Sequence, residues 1–118
     1  MKILIADDDA LWVKIVSHYF SLKKHEVRSA GTFAGALALA AGQRPDCILA
    51  DGELADGGIS AFCAAIKTTA GLEKTALVCV SGAEQCPAES GADACVVKGG
   101  ALSELEAVIG AALKARLG

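Results

Sequence analysis

The stretch Pro45-Asp46-Cys47-Ile48-Leu49-Ala50-Asp51-Gly52-Glu53 decides the fold. Four apolar residues run without interruption, stop on a carboxylate and give way to a glycine-rich loop. An apolar run with no polar alternation is the pattern of a strand covered on both faces, as in a parallel sheet. Asp51 then stands at the carboxyl end of a central strand, where open α/β sheets hold their ligands and chemistry. Three other segments repeat this form. Lys2 to Ala6 leads into Asp7-Asp8-Asp9, Thr75 to Val80 leads into Ser81-Gly82, and Ala94 to Val97 leads into Lys98-Gly99-Gly100. The acidic run, Ser81 and Lys98 are therefore the candidate partners of Asp51.

Between these strands the sequence reads as helix. Leu11, Ile15, Tyr19 and Leu22 recur at helical spacing, with Trp12, Val16 and Phe20 widening the stripe and Asp9 as the cap. Glu26 to Ser29 is a weaker strand nearer an edge. Thr32 caps an alanine-rich helix from Phe33 to Ala41, ended by Gly42 and Pro45. Ile59 to Thr69 reads as a third helix closed by Gly71. Ser103 to Leu117 is a terminal helix with Leu105, Val108, Ile109, Ala112 and Leu113 on one side. Strands alternating with helices imply βα units around a parallel sheet. Only eleven residues, Gly82 to Ala92, separate the fourth strand run from Asp93, and they include Pro87 and Gly91. The helix expected there is one or two turns, or missing.

Composition sets outer bounds. The 118 residues suit one domain, 1–118, with no room for an output domain. Hydrophobic residues make up 53% and aromatics 4%, so the core is built of Ala, Val, Leu and Ile. A net charge of −3 gives no electrostatic case for binding nucleic acid. No run approaches the ~18 apolar residues of a membrane span. The five cysteines, Cys47, Cys63, Cys79, Cys86 and Cys95, include no CxxC pair and read as reduced thiols of a cytoplasmic protein, with Cys86 in a loop as an exposed one. His18 and His25 lack acidic or cysteine neighbours at catalytic spacing and read as surface or helix-end residues.

The chemistry follows from the strand ends. Carboxylates at the ends of adjacent strands repel and raise each other's pKa. A divalent cation relieves that repulsion, and an all-oxygen donor set of carboxylates, waters and phosphate oxygens is the preference of Mg²⁺. Asp51 is then a nucleophile towards a phosphoryl group, with the metal on one flank and Lys98 on the other to stabilise the equatorial oxygens. Ser81 offers a hydroxyl to one of those oxygens. Asp9 serves better as a helix cap than as a ligand, and Trp12 as packing.

The sequence resembles, over its whole length, the receiver domain of two-component response regulators. The resemblance rests on Ile3-Leu4-Ile5-Ala6-Asp7-Asp8-Asp9, Pro45 to Asp51, Val80-Ser81-Gly82 and Gly91 to Lys98, in that order. It implies a flavodoxin-like (βα)5 fold of strand order 2-1-3-4-5, the fourth helix shortened or missing. It implies Asp51 as phosphoacceptor, Asp7 and Asp8 as the acidic pair holding Mg²⁺, and Glu53 as donor of a backbone carbonyl to the metal. Ser81 and Lys98 match the family's hydroxyl and lysine. The phosphodonor would be a sensor histidine kinase or a histidine phosphotransfer protein, and the output would be contact with a downstream protein.

Four features depart from the family pattern. Ala55 stands where proline is usual, and the loop Asp56-Gly57-Gly58 is one residue short. Gly99 replaces the proline after the lysine, so the cis bond typical of the family becomes unfavourable by about 2.5–4 kcal/mol, and Lys98 is expected to be aimed differently. Cys95 replaces the aromatic that reports phosphorylation. A receiver acting as a phosphorylation-independent interaction module is the alternative these departures favour. A small Mg²⁺-dependent phosphatase with Asp51 as nucleophile and Glu53 as second acid is a third reading, but no cap domain accompanies it.

Overall fold

The computed structural model describes residues 1–82 and 91–117. The elements run β1 (Lys2–Ala6), α1 (Ala10–Leu22), β2 (Glu26–Ala30), α2 (Phe33–Gln43), β3 (Cys47–Ala50), β4 (Glu53–Leu54), β5 (Gly57–Gly58), α3 (Ile59–Lys67), β6 (Ala76–Ser81), β7 (Ala94–Val97) and α4 (Leu102–Leu117). Five strands form one parallel sheet in the order β2-β1-β3-β6-β7. Counted along this sheet alone, that is the order 2-1-3-4-5 of the flavodoxin-like fold, flanked by four helices among the described residues. The segment expected to carry a short fourth helix falls on residues 83–90, which lie outside those described, as does Cys86.

The uninterrupted apolar runs of β1, β3 and β6 have a direct cause: these central strands are buried on both faces. Leu4, Ala6, Ile48, Ala50, Leu77 and Cys79 point to one side and pack with Phe33, Ala36, Ala40, Ile59, Phe62 and Ile66 of α2 and α3. Ile3, Ile5, Cys47, Leu49, Val78 and Val80 point to the other and pack with Val16 and Phe20 of α1 and Leu105, Ile109 and Ala112 of α4. Strand side chains alternate between faces, so every position of a central strand needs an apolar residue.

Two expectations change. In α1 the buried face is Val16 and Phe20, with Trp12, Val13 and Tyr19 packed beside them; Leu11, Ile15 and Leu22 are exposed. The helix is rotated from the phase expected. The edge strand β7 buries only one side: Ala94 and Val96 face the core, while Cys95 and Val97 are exposed. Cys95 is moreover disulfide-bonded, which corrects the expectation of a reduced thiol there. Cys47, Cys63 and Cys79 are free and buried as expected.

Sequence reasoning also passed over β4 and β5. They pair antiparallel, Glu53 opposite Gly58 and Leu54 opposite Gly57, and turn the loop after β3 into a small hairpin. Gly57 has φ +141°, which a side chain rarely allows. No described helix is long and apolar enough to cross a membrane.

Candidate functional site

The register of the parallel strands brings the candidate residues together. Ala6 of β1 lies beside Ala50 of β3, and Ala50 beside Cys79 of β6. The ladder continues one step past the strand ends, with the Asp51 amide donating to the Ala6 carbonyl (2.9 Å) and the Lys98 amide to the Ser81 carbonyl (2.9 Å). Asp7, Asp51, Ser81 and Lys98 thus end up along one edge of the sheet.

Asp7 is the buried member, 4% exposed. Its Oδ1 accepts the Asp9 amide at 2.9 Å, and its Oδ2 lies 2.8 Å from Lys98 Nζ. The same ammonium lies 3.5 Å from Asp51 Oδ2, so it bridges the two carboxylates. Asp51 Oδ1 accepts its neighbour's amide, that of Gly52, at 2.7 Å. Asp8 is exposed, and each of Asp7, Asp8 and Asp51 has a carboxylate oxygen within 4.8 Å of the others'. Asp9 caps α1 by accepting the Trp12 amide at 3.2 Å, the role expected of it, and Trp12 packs on the core.

The electrostatics match this crowding. Burial pushes the Asp7 carboxyl above its usual range; the bond to Lys98 and the Asp9 amide pull it back, and the charge of Asp51 adds to the rise. For Lys98, burial opposes the charged ammonium, but the bond to Asp7 and the charges of Asp7, Asp51 and Asp9 outweigh it and hold its pKa above normal. For Asp7, burial outweighs the lysine in contact, and the neighbouring Asp51 charge adds to the same direction.

Lys98 reaches the carboxylates across a trans bond, since no cis peptide occurs among the described residues. The expectation that the missing proline would aim Lys98 elsewhere is therefore corrected. Gly99, at φ +90°, makes the turn instead. At the other side of Asp51, a Cβ on residue 52 would lie 3.4 Å from Ser81 Oγ and 4.0 Å from Cys79 Sγ. A side chain at position 52 would therefore sit in van der Waals contact with Ser81, which places residue 52 directly beside the Ser81 hydroxyl. Glu53 is exposed at the first rung of the β4–β5 hairpin.

One residue near the site was missed in sequence. Asp56, at the tip of the hairpin, accepts the Phe33 amide at 3.0 Å and the Ala34 amide at 2.9 Å, and so ties the loop to α2. The available signal was the sequence of α2 itself, which has no acidic residue in its first turn to answer its free amides.

The model of the response regulator receiver domain matches residues 3–110. Among solved structures, the chemotaxis response regulator CheY4 of Vibrio cholerae superposes with a TM-score of 0.86 at 24% identity, covering 95% of this chain and 98% of that one. A putative response regulator from Chloroflexus aurantiacus gives 0.86 at 20% identity over 96% of this chain and 97% of that one. The N-terminal domain of a response regulator/sensory box/GGDEF 3-domain protein from Carboxydothermus hydrogenoformans gives 0.82 at 25% identity, covering 97% and 94%. A search of the curated proteins returns no match. With a family match that spans nearly the whole sequence and a fold that follows it, the chain belongs to the response regulator receiver domain family.

Proposed function

We propose that this receiver takes a phosphoryl group from a phosphohistidine donor onto Asp51, with Mg²⁺ held by Asp7, Asp8, Asp51 and the backbone carbonyl of Glu53, and signals by contact with a downstream protein in the cytoplasm. The observation that carries the reading is the three carboxylates within 4.8 Å of one another, bridged at Asp7 and Asp51 by Lys98. Clustered acids repel one another, and at Asp7 the Asp51 charge adds to the rise in pKa that burial causes first. An all-oxygen cluster of this kind fits a hard divalent cation. When bound, Mg²⁺ would neutralise charge on the transferring phosphoryl group.

The chain's own groups do the rest. One Asp51 oxygen attacks phosphorus as the phosphorus–nitrogen bond to the donor imidazole breaks. The bonding pair leaves with the imidazole nitrogen. Lys98, already 3.5 Å from Asp51, meets the charge that spreads over the phosphoryl oxygens, and the Ser81 hydroxyl donates to one of them. The domain is a signalling module whose only chemistry is its own labelling and its reversal. Transfer of phosphate from a small donor to the wild type but not to Asp51→Asn tests the assignment.

A second reading keeps the fold and drops the switch. Cys95, in the place of the family's reporter aromatic, is exposed and disulfide-bonded. That favours an interaction module whose binding does not depend on phosphorylation. Partner affinity that is the same with and without the phosphoryl group would select it.

A further inference from the structure

We propose that Asp56 is a positioning residue for the phosphorylation site: its carboxylate locks the Gly52–Gly58 hairpin onto the N-terminus of α2 and thereby fixes the Glu53 backbone relative to Asp51. This rests on the reading above, in which the Glu53 carbonyl is a metal ligand.

The geometry is that of a two-point clamp. One oxygen takes the Phe33 amide and the other the Ala34 amide, while Thr32 Oγ1 takes the next, Gly35, at 3.1 Å. The first three free amides of α2 are thus answered by its own cap and by a carboxylate from across the molecule. These two bonds hold the Asp56 carboxyl below the usual carboxylate range. Phe33 in turn stacks on Phe62 of α3, ring centres 4.9 Å apart, so the clamp grips a packed corner of the core rather than a loose helix end.

Among the described residues the hairpin has little else to hold it sideways. Its ladder is two residues long, and its return strand is Gly57-Gly58, both exposed and without side chains. Leu54 is its one buried anchor among hydrophobic residues, and the Ile59 amide closes its base on the Gly52 carbonyl at 3.1 Å. Glu53 lies between that base and Leu54. Without Asp56, the segment can swing about these two points, and the Glu53 carbonyl is then no longer held at one distance from the Asp51 carboxylate. Outer partners that fix a metal ligand typically contribute tenfold or more to metal affinity.

The competing role is a plain helix cap, and the two roles separate in Mg²⁺ binding. Calorimetric titration of metal-free protein, well below each melting temperature, compares the wild type with Asp56→Ala, Asp56→Asn and Thr32→Ala. Asp56→Asn keeps the side-chain volume and guards against a misfolded alanine variant; Thr32→Ala removes the other cap of the same helix. The expected result is a Kd raised by about tenfold in Asp56→Ala, less in Asp56→Asn, and unchanged in Thr32→Ala, although all three melt earlier. Both Asp56 variants binding within about twofold of the wild type would overturn the positioning role alone, as would Thr32→Ala weakening Mg²⁺ as much as Asp56→Ala. No binding heat in the wild type would overturn the metal reading, and this inference with it.

Discussion

Replacing Asp51 by asparagine should stabilise the metal-free protein and destabilise it relative to the wild type once Mg²⁺ is added. Asparagine keeps the shape and the Oδ1 that accepts the Gly52 amide at 2.7 Å, so the charge is the main change. Removing that charge loses an attraction to Lys98 across 3.5 Å, worth about 4.7 kcal/mol at an effective dielectric of about 20. It also removes repulsions from Asp7 and Asp8, each across no more than 4.8 Å and each worth about 3.5 kcal/mol on the same scale. Asp8 is exposed, so solvent screens its share, and the balance settles near a gain of about 1 kcal/mol. For a chain of this length that is a rise in Tm of about 3–6 °C.

Mg²⁺ reverses the order. A ligand at ten times its Kd adds about 1.4 kcal/mol to the state that binds it, and under the proposed metal set Asp51→Asn would lose the charge of one ligand oxygen. Urea unfolding in chelator and then in Mg²⁺ should therefore give curves that cross over: the variant ahead in chelator, the wild type ahead in metal. The same ranking in both buffers would refute the argument that unbalanced negative charge defines this site.

Other outcomes follow from the same geometry. Lys98→Met should slow labelling of Asp51 by about 10²–10³-fold, as loss of a preorganised charge donor does; labelling by a small phosphodonor at the wild-type rate would exclude its role. Asp7 is held above the ordinary carboxyl value of 3.8 in the fold, so just above that pH the folded state binds a proton that the unfolded state does not. The stability of the wild type relative to Asp7→Asn should therefore rise as pH falls from neutral through that window; a flat or falling difference in urea midpoints would contradict the burial of a crowded carboxylate. Burial raises the Cys47 thiol to about 12 and the Cys79 thiol to about 11, so iodoacetamide at mildly alkaline pH should modify both only after denaturation. Peptide mapping that finds either alkylated in the native protein would count against their packing.

Which parts of the molecule were legible in its sequence depended on how few physical options each residue had. Ile3 to Ala6 and Cys47 to Ala50 are buried on both faces, so each offers one apolar run and one reading. Parallel pairing of those runs then forces Asp7 and Asp51 side by side, which is why the site could be assembled from strand ends alone. The face of α1 could not be read the same way. Leu11-Trp12-Val13, Ile15-Val16 and Tyr19-Phe20 are apolar in neighbouring positions, so two rotations of the helix bury comparable area, and tertiary packing chose Val16 and Phe20. In β7 an equally apolar run lies at the sheet edge, where half of it needs no cover. Lys98 was expected to suffer from Gly99, yet across a trans bond, with Gly99 turning at φ +90°, its ammonium still reaches Asp7 and Asp51. The Asp56 clamp joins residues 22 and 23 positions apart; the acid-free first turn of α2 signals that its amides need a partner, but local pattern does not say which residue supplies it.

The central claim is that Asp51 accepts a phosphoryl group. Intact-protein mass after incubation with a small phosphodonor and Mg²⁺, with Asp51→Asn alongside, tests it most directly. One added phosphoryl group on the wild type, absent from the variant and absent when chelator replaces Mg²⁺ from the start of the reaction, is the expected result. Labelling of Asp51→Asn to the same extent would contradict the account, and no labelling of the wild type by either a small donor or a phosphohistidine protein would leave the phosphorylation-independent module as the function of this fold.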